Sequence, residues 1–193
     1  MPARSQTNEH RLQRSMVMQL AAQGYTPILN ACSKEDPAGL ADFGATNLDI
    51  QKFDPSLGID LTKAVPNYVH GDVCHMPFQD KSYKLVVLGE ALEHFLPFKA
   101  VEVLTEIKRV LMDDGRIFLT FPKDPRPWQT QHNPPVNIEF VPGAFAQHVT
   151  VWEDDMLLDL FGKVGLKEIH RQNTTYLLGG CCLGGLGLIL EKA

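Results

Sequence analysis

The sequence predicts an α/β fold: a mostly parallel seven-stranded sheet that ends in an antiparallel hairpin and has unusually short first crossovers. Three observations carry this. Apolar runs of strand length alternate with helical segments, the pattern of parallel strands joined by crossovers. The last two runs have no helix between them, so they can pair as an antiparallel hairpin. The chain has 193 residues, 44% hydrophobic and 21% charged, enough for one domain with its own core and no disulfide framework.

The elements follow in order. Residues 8–23 form an amphipathic helix with Leu12, Met16, Leu20 and Ala21 on one face, Thr7 or Asn8 as cap and Gly24 as stop. Strands are expected at 27–31, 45–50, 68–71 and 85–88. A helix follows over 100–111, with Val101, Leu104, Ile107 and Leu111 on one side. Asp113-Asp114-Gly115 then turns the chain into a strand at 116–121. A helix over 154–164 stops at Gly165, and strands at 166–171 and 186–190 complete the sheet. Only 13 residues, 32–44, join the first two strands, and Pro37 and Gly39 interrupt them. The next connection, 51–67, contains Pro55, Gly58 and Pro66. Neither holds a full helix, so one sheet face needs another cover. The helix at 8–23 or a second subunit, making a homodimer, is expected there.

Composition excludes several classes. The formal net charge is −5 with Lys and Arg scattered, so the basic face of a nucleic-acid binder is missing and nucleic acid is not an expected partner. Cys32, Cys74, Cys181 and Cys182 make no C-x-x-C pair. They read as apolar thiols in a reducing cytoplasm, and no metal site is expected. No apolar stretch follows Arg4, Arg11 and Arg14, so no signal peptide is expected. The longest apolar run, 177–190, has 14 residues with five glycines, short of the ~20 needed for a membrane span. The expectation is a soluble cytoplasmic protein.

Ligands of open parallel sheets bind beyond the carboxyl ends of the strands, where strand order reverses. Four such ends carry suggestive residues: Asn30-Ala31-Cys32-Ser33-Lys34, Asp49-Ile50, Gly71-Asp72-Val73, and Leu88-Gly89-Glu90. Asp49 and Asp72 lie 23 residues apart, each just past a strand. Asp49 can accept hydrogen bonds from both ribose hydroxyls of an adenosine ligand. Asp72 can accept from an adenine amino group, with the Val73 N–H donating to a ring nitrogen.

The stretch GDVCHMPFQDKSYKLVVLGEALEHF, followed by EVLTEIKRVLMDDGRIFLTFP, resembles the small class I S-adenosylmethionine-dependent methyltransferases of the type 11 family. Their acid, Leu-Pro-Phe, acid-His and Arg-Val-Leu-Lys-Pro-Gly-Gly motifs appear here as Asp72, Met76-Pro77-Phe78, Glu93-His94 and Arg109 to Gly115. The resemblance covers roughly 28–121. It implies a Rossmann-like fold finished by the antiparallel hairpin. It also implies S-adenosylmethionine against Ala31, Cys32, Ser33, Asp49, Ile50, Asp72, Val73, Leu88, Gly89 and Glu90.

The departure lies in the first loop, where the family pattern has glycines and this chain has Cys32, Lys34 and Asp36. Glycine there permits positive φ and close ligand approach. Lys34 is a candidate replacement contact, to the cofactor's methionine carboxylate, and Glu90 could hold its amino group. Methyl transfer asks mainly for alignment, plus a base where the acceptor must lose a proton. His94 and His148 are the candidate bases. The proline-rich stretch 122–148, with Trp128, Phe140 and Phe145, is a candidate lid or acceptor surface. The expected function is therefore S-adenosylmethionine-dependent methylation of a small molecule or an exposed protein group. The rival is a catalytically inactive methyltransferase-like binding or assembly subunit. A nicotinamide-dependent oxidoreductase is disfavoured, because no G-x-G-x-x-G follows the first strand.

Overall fold

The structure is a computed structural model that describes residues 8–55, 57–122, 149–150, 152–178 and 181–193. Helix α1 (Asn8–Ala22) precedes β1 (Ile28–Ala31) and β2 (Thr46–Asp49). A two-strand hairpin of β3 (Phe53–Asp54) and β4 (Ile59–Asp60) and the single-turn α2 (Leu61–Ala64) lead to β5 (Tyr68–His70). Then come β6 (Tyr83–Gly89), α3 (Pro97–Val110), β7 (Leu111–Pro122), α4 (Asp154–Val164), β8 (Leu166–Leu178) and β9 (Cys181–Lys192). The main sheet has the order β5-β2-β1-β6-β7-β9-β8. The first five strands are parallel, and β9 runs antiparallel to both β7 and β8. The expected seven-stranded sheet with its terminal hairpin is present.

Period-two alternation splits the sheet into two faces. Leu29, Val86, Leu88, Ile117, Leu119, Leu186 and Leu188 pack against Val103, Leu104 and Ile107 of α3 and Leu157, Leu160 and Phe161 of α4. Ile28, Leu85, Val87, Phe118 and Ile189 face the other way, against Val17 and Leu20 of α1. Helix α1 thus covers the face that the short crossovers leave bare. Its buried stripe is Gln13, Val17 and Leu20, with Leu12, Met16 and Ala21 half-buried at its flanks. The stripe shares Leu20 with the expected one and is turned about 50° from it, onto a line that includes a polar residue.

Other differences are local. Helix α3 begins earlier, with Pro97 at its first position, where a missing N–H costs nothing. The Asp113-Asp114-Gly115 turn is a bulge within β7: Tyr83 pairs with Leu111 and Leu85 with Arg116, so 112–115 arch out of the ladder. Strands β8 and β9 are about twice their expected length. The polar run Gln172-Asn173-Thr174-Thr175 and the glycines facing it carry no apolar alternation, yet they pair residue for residue. The candidate lid at 122–148 lies, beyond Pro122, outside the described residues. Among those residues no helix is long and apolar enough to cross a membrane.

Candidate functional site

The strand order reverses between β1 and β6. The chain leaves β1 towards β2 and leaves β6 towards β7, and the two departing loops open a crevice at their carboxyl ends. The loop after β1 takes a conformation that glycine normally supplies. Cys32, Lys34 and Asp36 have φ of 57°, 45° and 55°, and Glu90, across the crevice, has φ 51°. Such backbone costs a non-glycine residue roughly 1 kcal/mol or more each, so the surroundings must hold it.

They do so through polar bonds, where a parallel crossover usually has a helix. The Ser33 N–H donates to the Leu48 carbonyl at 3.0 Å and the Lys34 N–H to Asp49 Oδ2 at 2.9 Å. The Asp36 carboxylate accepts from the N–H groups of Leu40 and Ala41, both at 2.8 Å, capping the 3-10 turn Leu40–Phe43. Asn30 Nδ2 reaches Asp36 Oδ1 at 3.2 Å and Asn47 Oδ1 at 2.8 Å, tying β1, loop and β2 together. Burial pushes the Asp36 carboxyl above its usual range, against the pull of those backbone donors.

Two adjoining cavities fill the crevice. The larger, about 210 Å³, is lined by Asp49, Ile50, Gly71, Asp72, Val73 and His94 among others. The smaller, about 80 Å³, lies against α1 and is lined by His10, Gln13, Asn30, Ser33 and Gly89 among others. Cys32, Lys34 and Glu90 line both. The two acids therefore share one cleft. Asp49 is buried at 7% exposure. Its Oδ1 accepts from the Gln51 N–H at 2.9 Å while Oδ2 accepts from Lys34, which fixes the carboxylate and leaves further lone pairs for a ligand. Asp72 is half-exposed, and its Oδ1 accepts from the Cys74 N–H at 2.8 Å. Burial, with Asp49 next, pushes the Cys32 thiol far up, so it stays protonated and unreactive.

The remaining candidates fall as follows. Ala31 and Leu88 are buried in the core and line neither cavity; they support its floor. Ser33 is buried, and its hydroxyl has no hydrogen-bond partner among the described residues, an exposed need beside the smaller cavity. His94 sits in the 3-10 turn Leu92–His94 ahead of α3, not in the helix itself, and its ring is largely buried. That turn is anchored: Val149 and Thr150 N–H groups donate to the Glu93 carbonyl, and Trp152 Nε1 donates to the Leu92 carbonyl at 3.0 Å. His148 lies outside the described residues.

Sequence reasoning missed the α1 wall. Gln13, 5% exposed, donates from Nε2 to Thr120 Oγ1 at 2.8 Å, directly over the end of β6. A Cβ at position 89 would lie 2.2 Å from that nitrogen, so any larger residue there would push the Gln13 side chain off Thr120. The signal available was Gln13 standing four residues before Val17 and seven before Leu20, a polar group on the buried stripe.

The Met76-Pro77-Phe78 and Arg109 motifs prove to be one structure. Arg109 donates to the carbonyls of Met76 and Phe78, to both carboxylate oxygens of Glu106 and to Asp80, and Glu106 Oε1 accepts the Met76 N–H. This clamp fixes the segment that follows Asp72 and Val73.

Residues 42–119 match the type 11 methyltransferase family, described as a methyltransferase domain. The fold recurs in solved structures. One is an S-adenosylmethionine-dependent methyltransferase from Methanosarcina mazei, 17% identical, covering 89% of this chain and 96% of that one, with a TM-score of 0.65. The fold is that of the class I methyltransferases. A 1,6-didemethyltoxoflavin-N1-methyltransferase from Burkholderia thailandensis, solved with S-adenosylhomocysteine, shares this methyltransferase fold at 14% identity. It covers 96% and 79% of the two chains with a TM-score of 0.65. The [4+2]-cyclase SpnF shares it as well, at 12% identity, 95% and 81% coverage and a TM-score of 0.66. No curated protein matches the sequence significantly. The resemblance noted in the motifs therefore stands, and identities this low speak for the fold alone.

Proposed function

We propose that this chain is an S-adenosylmethionine-dependent methyltransferase of the cytoplasm acting on a small molecule or an exposed protein group. The observation that carries the reading is the shared cleft of Asp49 and Asp72 at the switch point, beside a loop that keeps the left-handed glycine conformation with other residues. The residues fit the cofactor. Asp49 would hold the ribose hydroxyls, Asp72 and Val73 the adenine, and the orphaned Ser33 hydroxyl faces a polar neighbour only if a ligand supplies one. When bound, S-adenosylmethionine supplies a methyl group activated by its sulfonium. The chain's own work is then alignment, exclusion of water and, at His94, acceptance of the acceptor's proton.

One observation favours the rival reading of an inactive binding or assembly subunit: the smaller cavity is only about 80 Å³, narrowed by Gln13 and the non-glycine loop. The fold does not choose, since the cyclase uses it for other chemistry. Thermal unfolding with S-adenosylhomocysteine separates the two. A methyltransferase should gain about 2.7 kcal/mol at 100 times the dissociation constant, roughly 5–10 °C for a chain of this size. An unmoved transition at millimolar ligand overturns the proposal and leaves the subunit reading.

A further inference from the structure

Helix α1 carries a buried polar side chain, Gln13, into the wall of the smaller cavity. Its amide closes on Gly89, where a Cβ would meet the nitrogen, carbon and oxygen at 2.2, 2.6 and 2.9 Å. One hydrogen bond fastens it, from Nε2 to the hydroxyl of the fully buried Thr120 at 2.8 Å. The helix behind it is pinned. Arg14 donates to the Gly39 carbonyl at 2.7 Å and to Asp42 at 2.8 Å, and its guanidinium lies over the Phe43 ring. Val17 and Leu20 continue the anchor in the core. A side chain held by a single bond on a fixed helix is the part of this wall free to move. The space it leaves, about 80 Å³, is that of about three waters at roughly 30 Å³ each. An aminobutyrate chain with its carboxylate and ammonium has more than twice that many non-hydrogen atoms.

With a nucleoside held by Asp49, Asp72 and Val73 in the larger cavity, whatever extends from its ribose has the smaller one beside it to enter. The buried, unpartnered Ser33 hydroxyl on that cavity points independently to a polar group arriving there. We propose that Gln13 is an autoinhibitory plug: bonded to Thr120, it closes the smaller cavity, and it must leave Thr120 before the amino-acid end of the cofactor can seat. The inference rests on the cofactor reading above and adds a gate to it. A nucleoside that ends at its sulfur fits the larger cavity and leaves the plug in place. A ligand with the full chain breaks the Gln13–Thr120 bond and is held more weakly than its own contacts allow.

Calorimetry on the full chain, with S-adenosylhomocysteine and 5′-methylthioadenosine as the two probes, tests this. Gln13→Ala removes the plug and should tighten S-adenosylhomocysteine binding about fivefold, the scale of one net hydrogen bond. Methylthioadenosine should stay within about twofold of its wild-type affinity. Thr120→Val keeps the bulk of Gln13 but removes its fastening, and should tighten S-adenosylhomocysteine by a smaller factor with methylthioadenosine again unmoved. Unchanged or weaker S-adenosylhomocysteine binding in either variant, or an equal gain for both probes, overturns the inference and leaves the cofactor reading intact. A wild type and a Gln13→Ala variant that both fail to bind S-adenosylhomocysteine remove both.

Discussion

Asp49→Asn is expected to weaken S-adenosylhomocysteine binding about 100-fold. The carboxylate is buried and already oriented by two backbone donors, Lys34 and Gln51, each at 2.9 Å. Asparagine keeps the shape but turns one acceptor into a donor. Its amide then faces either the Lys34 or the Gln51 N–H, donor against donor, and the other oxygen alone must serve the ligand. Losing charge-assisted bonds to two ribose hydroxyls is worth about 2.7 kcal/mol, the energy of a 100-fold change. The unliganded fold should also lose about 1–3 kcal/mol, because a buried N–H is left unpaired. Asp72→Asn should do less on both counts, since Asp72 is half-exposed and is held by the Cys74 N–H and a long contact to the exposed His75. Calorimetry well below the melting temperature separates affinity from folding, and an unaltered dissociation constant in Asp49→Asn would remove Asp49 from the site.

Arg109→Ala carries the largest expected stability effect, a loss of about 3 kcal/mol in denaturant unfolding. The guanidinium joins Met76, Phe78, Asp80 and Glu106 through five hydrogen bonds, and its removal leaves Glu106, 15% exposed, without its cation. Lysine cannot restore a forked pattern, so Arg109→Lys should recover less than half. A pH signature accompanies it. The bond from Arg109 holds the Glu106 carboxyl below its ordinary value of 4.5, with the Met76 N–H adding to the effect. A folded pKa below the unfolded one means the stabilisation is complete above about pH 4.5 and is lost as pH falls through the lower, folded value. The stability gap between wild type and Glu106→Gln should therefore be constant above about pH 5.5 and close below 4.5. A gap that persists unchanged to pH 3 would show that Glu106 gains nothing from its partner.

These two effects also show what the sequence could and could not tell. Strand ends at Asp49, Asp72 and Gly89 were legible because short apolar runs stop where polar ligand-facing residues begin. The terminal hairpin was legible from the missing helix between its strands. The role of Arg109 was hidden, since its partners other than Glu106 lie 29 to 33 residues away in a loop with no periodicity of its own. The left-handed loop was hidden for the opposite reason: Cys32, Lys34 and Asp36 give no glycine signal, and the Asn30–Asp36–Asn47 bonds that hold it cross two strands. Gln13 was overlooked because apolar Leu12 and Met16 drew the helix face about 50° round.

A crystal structure of the protein soaked with S-adenosylhomocysteine tests the account most directly. It should place the ribose hydroxyls on the Asp49 carboxylate and the adenine beside Asp72 and Val73, with Cys32, Lys34 and Asp36 still left-handed. Nucleoside density bound elsewhere, or Lys34 lying across the cleft with both acids turned from the ligand, would contradict it.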